Sequence, residues 1–320
     1  MKRVLPSAIL IAVAFTITGI AAAAGFPSRT ITIISPAAAG GGTDLTAREL
    51  GQAAQQYLGV SVIVKDMAGA ANAAGINAGY QARPDGYTLV LGQVETVLDP
   101  LLGVGPWDPA KFTPVMGVDR ASAALTVNAK SPWQTTKQFV DYAKAHPGVK
   151  VGGTSPGTIW NLAAQGFGRA IGADFNVIPY SGGAAPAIQD LLGNNIDAVT
   201  TSAGEVSSQA KAGLLRVLCL MAPQRDMVTF PDVPTCAEDG YDVSFATWWA
   251  LMAPPNTPAA EASVLQSAFQ KAWQTPKFQD FLKQQGFEPM NVTAQDFPAF
   301  IQGETSKFTP ILSQMGLLKQ

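Results

Sequence analysis

Two hydrophobic periods, one near 2 and one near 3.6, take turns along this chain from residue 31 onward. ITIIS (31–35) and VSVIV (60–64) read as strands. Between them, apolar residues at 47, 50, 54, 57 and 58 follow the i, i+3, i+4 spacing of one helix face, and Gly59 supplies the stop. YTLVLG (87–92), introduced by the turn PDGY, is a third strand. ALTVN (124–128), a helix through TTKQFVDYAKA, and VKVGG (149–153) follow, then a helix over about 158–171. NVIPY (176–180), the helix PAIQDLLG, IDAVT (196–200) and LRVLCLM (215–221) continue the alternation. The tail holds the strand ATWWALMAP (246–254) and helical patterns over 258–273 and 276–285. Strand–helix alternation of this kind predicts α/β layers with mostly parallel sheets. There is no internal repeat and no low-complexity linker.

The N-terminus stands apart from this pattern. Lys2 and Arg3 precede an apolar stretch from Ala8 to Ile20 and the small-residue run Ala21–Ala24, the order of an export signal cleaved near Ala24. An uncleaved anchor is the other reading, since the stretch is nearly long enough to span a bilayer. Neither cysteine lies at the junction, so nothing marks a lipoprotein. The whole chain, at 320 residues, has room for two domains with their own cores. Its formal charge is −2, and losing Lys2 and Arg3 with the signal takes it to −4. With no basic stripe, nucleic acid is excluded as a partner. Cys219 and Cys236 sit 17 apart in an oxidising compartment; a disulfide and a buried small hydrophobe at 219 are both open readings.

Chemistry enters at the strand-to-helix junctions. SPAAAGGGTD (35–44) lacks the lysine of a phosphate loop and the G-x-G-x-x-G of a dinucleotide turn. What remains is unpaired N–H groups at the positive end of a helix, which favour an anion; a flexible turn is the alternative. The construction recurs in VKVGGTSPGT, opening a helix near Thr158, and in NVIPYSGGAAPAIQDLLG, opening one near Pro186. Three such junctions predict a cradle of amides and hydroxyls at strand ends. Charge-assisted hydrogen bonds contribute about 1.5–3 kcal/mol each, and micromolar binding needs about 8 kcal/mol. Several of them hold a carboxylate without any arginine.

Taken together these segments resemble the Bug family, the extracytoplasmic solute receptors of tripartite tricarboxylate transporters. SPAAAGGGTDLTAR resembles its P-F-x-x-G-G-G-x-D opening, and ARPDGYTLVLG its A-x-P-D-G-Y-T-L-L-x-G. VIPYSGGAAPAIQDLLGNNIDAV resembles V-P-Y-K-G-x-x-P-A-x-x-D-L-L-G-G-x-V-D. KAGLLRVLCLMAPQRDMVTFPDVPTCAEDGY resembles K-A-G-K-L-R-x-L-A-V-x-x-x-x-R-x-x-x-x-P-D-V-P-T-x-x-E-x-G.

The resemblance implies a type II periplasmic binding protein. Its two α/β lobes, each a mostly parallel sheet flanked by helices, close on a small carboxylate. Lobe 1 is expected from 25–120 with 245–320, and lobe 2 from 121–244. The first crossover is expected between Gly117 and Asn128; the second, anywhere from Met221 to Ala253, is placed at the strand around Trp248. Carried over, the first-lobe loop is Pro36, Ala37, Ala38 and Ala39 with Gly40, Gly41 and Thr43. The second lobe offers Gly153, Thr154, Ser155, Gly157 and Thr158, then Ser181, Gly182, Gly183 and Ala184. Thr201, Ser202 and Glu205 follow IDAVT and are candidates to face the cleft. A periplasmic monomer delivering its solute to membrane permease subunits is implied, with no cofactor and no metal.

The departures bear on the ligand. GGTSPGTIWNL replaces the family's G-S-x-G-x-G-[ST]-x-x-H-L, with Gly153 for serine, Ser155 for glycine and Asn161 for histidine. DMAGAAN stands where N-R-P-G-A-G-G is common, and Ser181 replaces the lysine after Tyr180. Glu95 lies where small polar residues are usual. If Glu95 and Glu205 face the cleft rather than solvent, the solute carries one carboxylate, or a carboxylate plus an amine. Asp44 fits a capping or bracing role at a helix start better than ligand contact. Trp160 is a packed aromatic or a stacking surface. Trp248 and Trp249 point to opposite faces of their strand.

An enzyme reading also exists. GTSPG (153–157) matches G-x-S-x-G, but that fold's triad needs a histidine after the serine, and the single histidine, His146, lies before it. One histidine and two cysteines 17 apart do not make a closed zinc site. A solute receptor leads, with an exported hydrolase and a sensory receptor for a membrane kinase as alternatives.

Overall fold

The computed structural model describes residues 25–181 and 183–319. Residues 1–24, read above as an export signal, lie outside the described residues, as do Gly182 and Gln320. Among those described, no helix is long and apolar enough to cross a membrane. The first part of the chain runs β1 (Ile31–Ser35), α1 (Gly42–Leu58), β2 (Val62–Asp66), α2 (Ala73–Tyr80), β3 (Thr88–Gln93) and α3 (Glu95–Leu101). The long β4 (Thr113–Asn128) leads into α4 (Thr136–Ala145), β5 (Val149–Gly152), α5 (Ile159–Ile171), β6 (Phe175–Ile178) and α6 (Ala184–Leu192). β7 (Ala198–Ser202), α7 (Ala203–Lys211) and β8 (Leu215–Met221) complete the middle. Then come β9 (Ala246–Ala253), α8 (Ala259–Trp273), α9 (Pro276–Gln285), β10 (Glu288–Pro289) and α10 (Phe297–Gln314).

Local causes are visible in each kind of element. α1 buries Ala47, Leu50, Ala54 and Leu58 on one stripe, and Gly59 ends it in the left-handed conformation, its N–H on the Gln55 carbonyl. Tyr57, counted on that face from spacing, is 41% exposed. α6 starts at Ala184, which puts Pro186 inside the first turn, where a missing N–H costs nothing.

The strands run β2-β1-β3-β9-β4-β7-β5-β6, with β8 and β10 also on β4. β1 pairs in parallel with β2 and β3, and β5 with β6 and β7. The pairing turns antiparallel where the chain passes between the two groups. Residues 113–122 of β4 pair with β9, and 123–128 pair with β7 and β8. The sequence pattern showed only the second of these stretches as strand. Pro114, Gly117 and the charged Asp119–Arg120 break the period of 2, and irregularities at Pro114/Met116 and Gly117/Asp119 absorb them. The return strand enters beside the same point. Ala123 N–H donates to the Phe245 carbonyl, and Phe245 N–H to that of Met221.

Ile33, Leu50, Leu89, Leu251 and Phe269 fill the core of the first half, and Ile188, Leu191, Val199 and Leu220 that of the second. A third cluster runs through both, from Val90 and Trp248 to Leu125 and Phe167. Cys219 and Cys236 are both buried and bonded, with Cα atoms 5.0 Å apart. That bond ties β8 to the segment ahead of β9; a loop of this length is worth about 3 kcal/mol.

Candidate functional site

A cavity of about 790 Å³ lies between the two halves, at the C-terminal ends of the parallel strands. One half supplies the β1–α1 turn, residues 68–72, Gln93 and Glu95 after β3, Thr247 and Trp249 of β9, and Gln285 and Phe287. The other supplies the β5–α5 junction, the start of α6 and the first turns of α7.

Most of the residues picked from sequence are on this wall. Ala37, Ala38, Ala39, Gly40, Gly41 and Thr43 form one side. Thr154, Ser155 and Thr158, with Ser181, Gly183, Ala184 and Ser202, form the other. Four described candidates sit behind it. Pro36 packs on α2, where a Cβ on Gly75 would come within 2.5 Å of its Cα. Gly153 is pressed against the Asn161 backbone, and Gly157 faces Leu102. Thr201 is fully buried in β7, its hydroxyl on the Ser202 carbonyl.

Six helices begin at the cavity: α1, α2, α3, α5, α6 and α7. Among the described residues, none that lines the cavity is a lysine, arginine or histidine; Glu95 and Glu205 are the ionisable ones. The helix starts are therefore the source of positive potential here. Two are already occupied by the chain's own carboxylates. α7 carries a capping box, Ser202 Oγ accepting from Glu205 N–H and Glu205 Oε2 from Ser202 N–H. α5 lacks a side-chain cap from Thr158, and Glu95 Oε1 reaches across from the other half to accept the Ile159 N–H at 3.0 Å. α1 behind Gly41 and α6 behind Gly183 have no side-chain cap, nor have the shorter α2 and α3.

The hydroxyls are mostly committed to bracing these turns. Thr158 Oγ1 donates to the Ser155 carbonyl at 2.6 Å, so Thr154 must donate to Thr158 in their 2.5 Å contact. The Trp249 indole, a donor only, donates to Thr43 Oγ1 at 2.7 Å, so Thr43 donates to Gln93 Oε1. That chain turns the Gln93 amide nitrogen away from Thr43. Asp44 braces rather than caps: Oδ2 accepts Gly40 N–H at 2.8 Å and Oδ1 pairs with Arg48 Nε at 2.6 Å.

Of the open readings, both glutamates lie on the wall rather than in solvent. Burial pushes the Glu95 carboxyl up to about 7, offset in part by the N–H groups of Ile159 and Glu95 itself and by the Gln93 side chain. Asp99, one turn along α3, is pushed up to about 9 by burial and by the charge of Glu95. Trp160 is buried and lines the cavity. Trp249 faces the cavity while Trp248 turns away to donate to Glu304. His146, the lone histidine, stacks on Tyr142 at the end of α4 with ring centroids 4.1 Å apart.

Gln93, Gln285 and Phe287 also line the cavity, and the sequence motifs do not mark them. Gln93 sits one step beyond the YTLVLG strand and extends it. Gln285 and Phe287 come from a helix end whose sequence carries no mark of a site. The 68–72 segment was noted only as a departure, yet it holds the most unusual backbone of the wall, with Ala70, Ala71 and Asn72 at φ 47°, 52° and 82°. A left-handed alanine costs about 1–2 kcal/mol, less what glycine loses in chain entropy. Ala71→Gly is expected to raise the melting midpoint by about 2 °C, read by calorimetry on the unliganded protein; a lowered midpoint would contradict this conformation.

Comparison with known proteins places these features. The model of the tripartite tricarboxylate transporter family receptor, TctC, matches residues 46–317. Protein BugT of Bordetella pertussis is 32% identical over 297 residues, covering 91% of this chain and 90% of its own. The periplasmic binding protein BugD superposes with a TM-score of 0.84 at 27% identity, over 92% of this chain and 100% of that one. MatC from Rhodopseudomonas palustris, solved with bound malate, superposes with a TM-score of 0.80 at 26% identity, over 90% of this chain and 100% of that one.

Proposed function

This chain belongs to the tripartite tricarboxylate transporter receptor family, whose members are non-enzymatic solute-binding receptors; from that premise we propose that it captures a small carboxylate-bearing solute between its halves in the periplasm and hands it to the membrane subunits of a transporter. The observation that carries this reading is the wall itself: no cationic side chain, and two uncapped helix starts, α1 and α6, one from each half. N–H groups at such ends hold a carboxylate by charge-assisted bonds without a counter-ion. Malate in MatC, a dicarboxylate, agrees with a carboxylate ligand here.

Residues 25–120 with 245–320 act as one lobe and 121–244 as the other. The hinge is where β4 changes partners between Ser122 and Ala123, beside Phe245. Solute binds the closed arrangement better because only there do both helix starts reach it. Residues 1–24 are removed on export, and the mature receptor works as a monomer.

A thermal-shift screen over mono- and dicarboxylates, amino acids and aromatic acids tests this, since a ligand that binds only the native state raises the midpoint by mass action. The expected outcome is a hit among carboxylates, recovered unchanged by mass spectrometry. A solute that is hydrolysed, or a screen in which none of these carboxylates raises the midpoint, would contradict it.

A further inference from the structure

Glu95 is 2% exposed and lines the cavity, yet only half of its carboxyl group is satisfied. Oε1 holds the Ile159 N–H, whereas the buried Oε2 completes no hydrogen bond, although the Gln93 side chain and the N–H of Glu95 itself lie near the carboxyl. We propose that Glu95 reads the second functional group of the solute: the cleft favours a carboxylate that also carries an ammonium group and turns away a second carboxylate. This inference rests on the carboxylate-receptor reading given above.

Three observations carry it. First, Glu95 occupies the start of α5 from across the cleft, so that helix end is closed to a ligand anion. Glu205, in the first turn of α7 itself, occupies that helix start, while α1 and α6 keep uncapped starts. Second, a buried carboxylate oxygen without a donor is an unmet demand, and a ligand N–H is what meets it. Third, a second ligand carboxylate near Glu95 would find no lysine, arginine or histidine on the wall to offset the like charge. Asp99 strengthens the case. It is 1% exposed, its Oδ2 is also unpartnered, and it holds its proton well above neutral pH. On the α3 side of the cavity the negative charge therefore falls to Glu95, and a neighbouring ammonium stabilises the ionised form.

The test is calorimetry at pH 7.5 on the wild-type protein and on Glu95→Gln, which keeps an oxygen for the Ile159 N–H. Two matched sets serve as probes: 4-aminobutyrate, butyrate and succinate, and 6-aminohexanoate, hexanoate and adipate. In the wild type, at least one amino acid is expected to bind tenfold or more tighter than the dicarboxylate of the same length. In Glu95→Gln that preference falls at least tenfold and the dicarboxylate gains. A wild type that prefers the dicarboxylate, or a ratio that the substitution leaves unchanged, overturns the role of Glu95 while carboxylate binding stands. Should Glu95→Gln not fold, as judged by its melting curve, the wild-type ratio alone decides. If no probe binds the wild type, both this inference and the carboxylate reading beneath it fall.

Discussion

Gly204→Ala should bind the solute at least a hundredfold more weakly than the wild type, with no loss of thermal stability. Gly204 lies in the first turn of α7, and a Cβ built there collides with the Gln285 carbonyl oxygen at the end of α9. The two residues come from different halves and both line the cavity, so this is a point where the halves touch beside it. Nothing flexible lies in the way; the obstacle is backbone. Alanine is also a better helix former than glycine by about 0.8–1 kcal/mol, so α7 itself gains. The variant can keep its fold by holding the halves apart, and the solute then loses one lobe's contacts. A hundredfold loss corresponds to about 2.8 kcal/mol. Calorimetry gives the affinity, and small-angle scattering shows whether solute still compacts the protein. Wild-type affinity with full compaction would mean that this contact does not govern closure.

The second large effect is at the start of α1. Gly41→Thr is expected to weaken binding by about 10- to 150-fold while stability holds or rises slightly. Gly41 has φ −80° and ψ 168°, extended values that a β-branched residue adopts readily, and its Cβ would meet only the Ala38 carbonyl at 3.4 Å. Threonine at this N-cap supplies the side-chain acceptor that the helix lacks, a gain of a few tenths of a kcal/mol over glycine. The same hydroxyl takes an N–H that the solute would otherwise use, and one charge-assisted hydrogen bond is worth about 1.5–3 kcal/mol. Stability and affinity thus move in opposite directions, which simple damage to the fold does not produce. Gly42 offers a contrast. A Cβ there would press on Trp249 at 3.0 Å and Phe287 at 3.1 Å, so Gly42→Ala disturbs the wall by crowding. Equal binding by Gly41→Thr and wild type would remove α1 from the grip.

The parts of this molecule legible in its sequence are those where one local signal decides. Alternating strands and amphipathic helices located β1, α1, α4, α5, β8 and β9, and glycine-rich junctions located most of the wall, because strand C-termini in α/β layers converge on one crevice. Trp248 and Trp249 split across their strand as the period of 2 requires. Elements with mixed signals were lost. α3 contains Pro100 and buries Glu95 and Asp99, α10 contains Pro310, and α7 is short and mostly polar. The first half of β4 was hidden by its own irregularities. The hydrogen-bond chain Trp249–Thr43–Gln93 joins residues up to 206 apart in sequence, and the reach of Glu95 to Ile159 spans 64. No local pattern encodes such meetings; they follow from which strands end side by side.

The most direct measurement is a crystal structure of the protein with the best carboxylate from the screen. Backbone gripping requires the carboxylate oxygens to lie about 3 Å from N–H groups at the starts of α1 and α6, with no lysine or arginine nitrogen within about 4 Å. A solute bound outside the cavity, or neutralised mainly by a cationic side chain, would show that the helix starts are not what holds it.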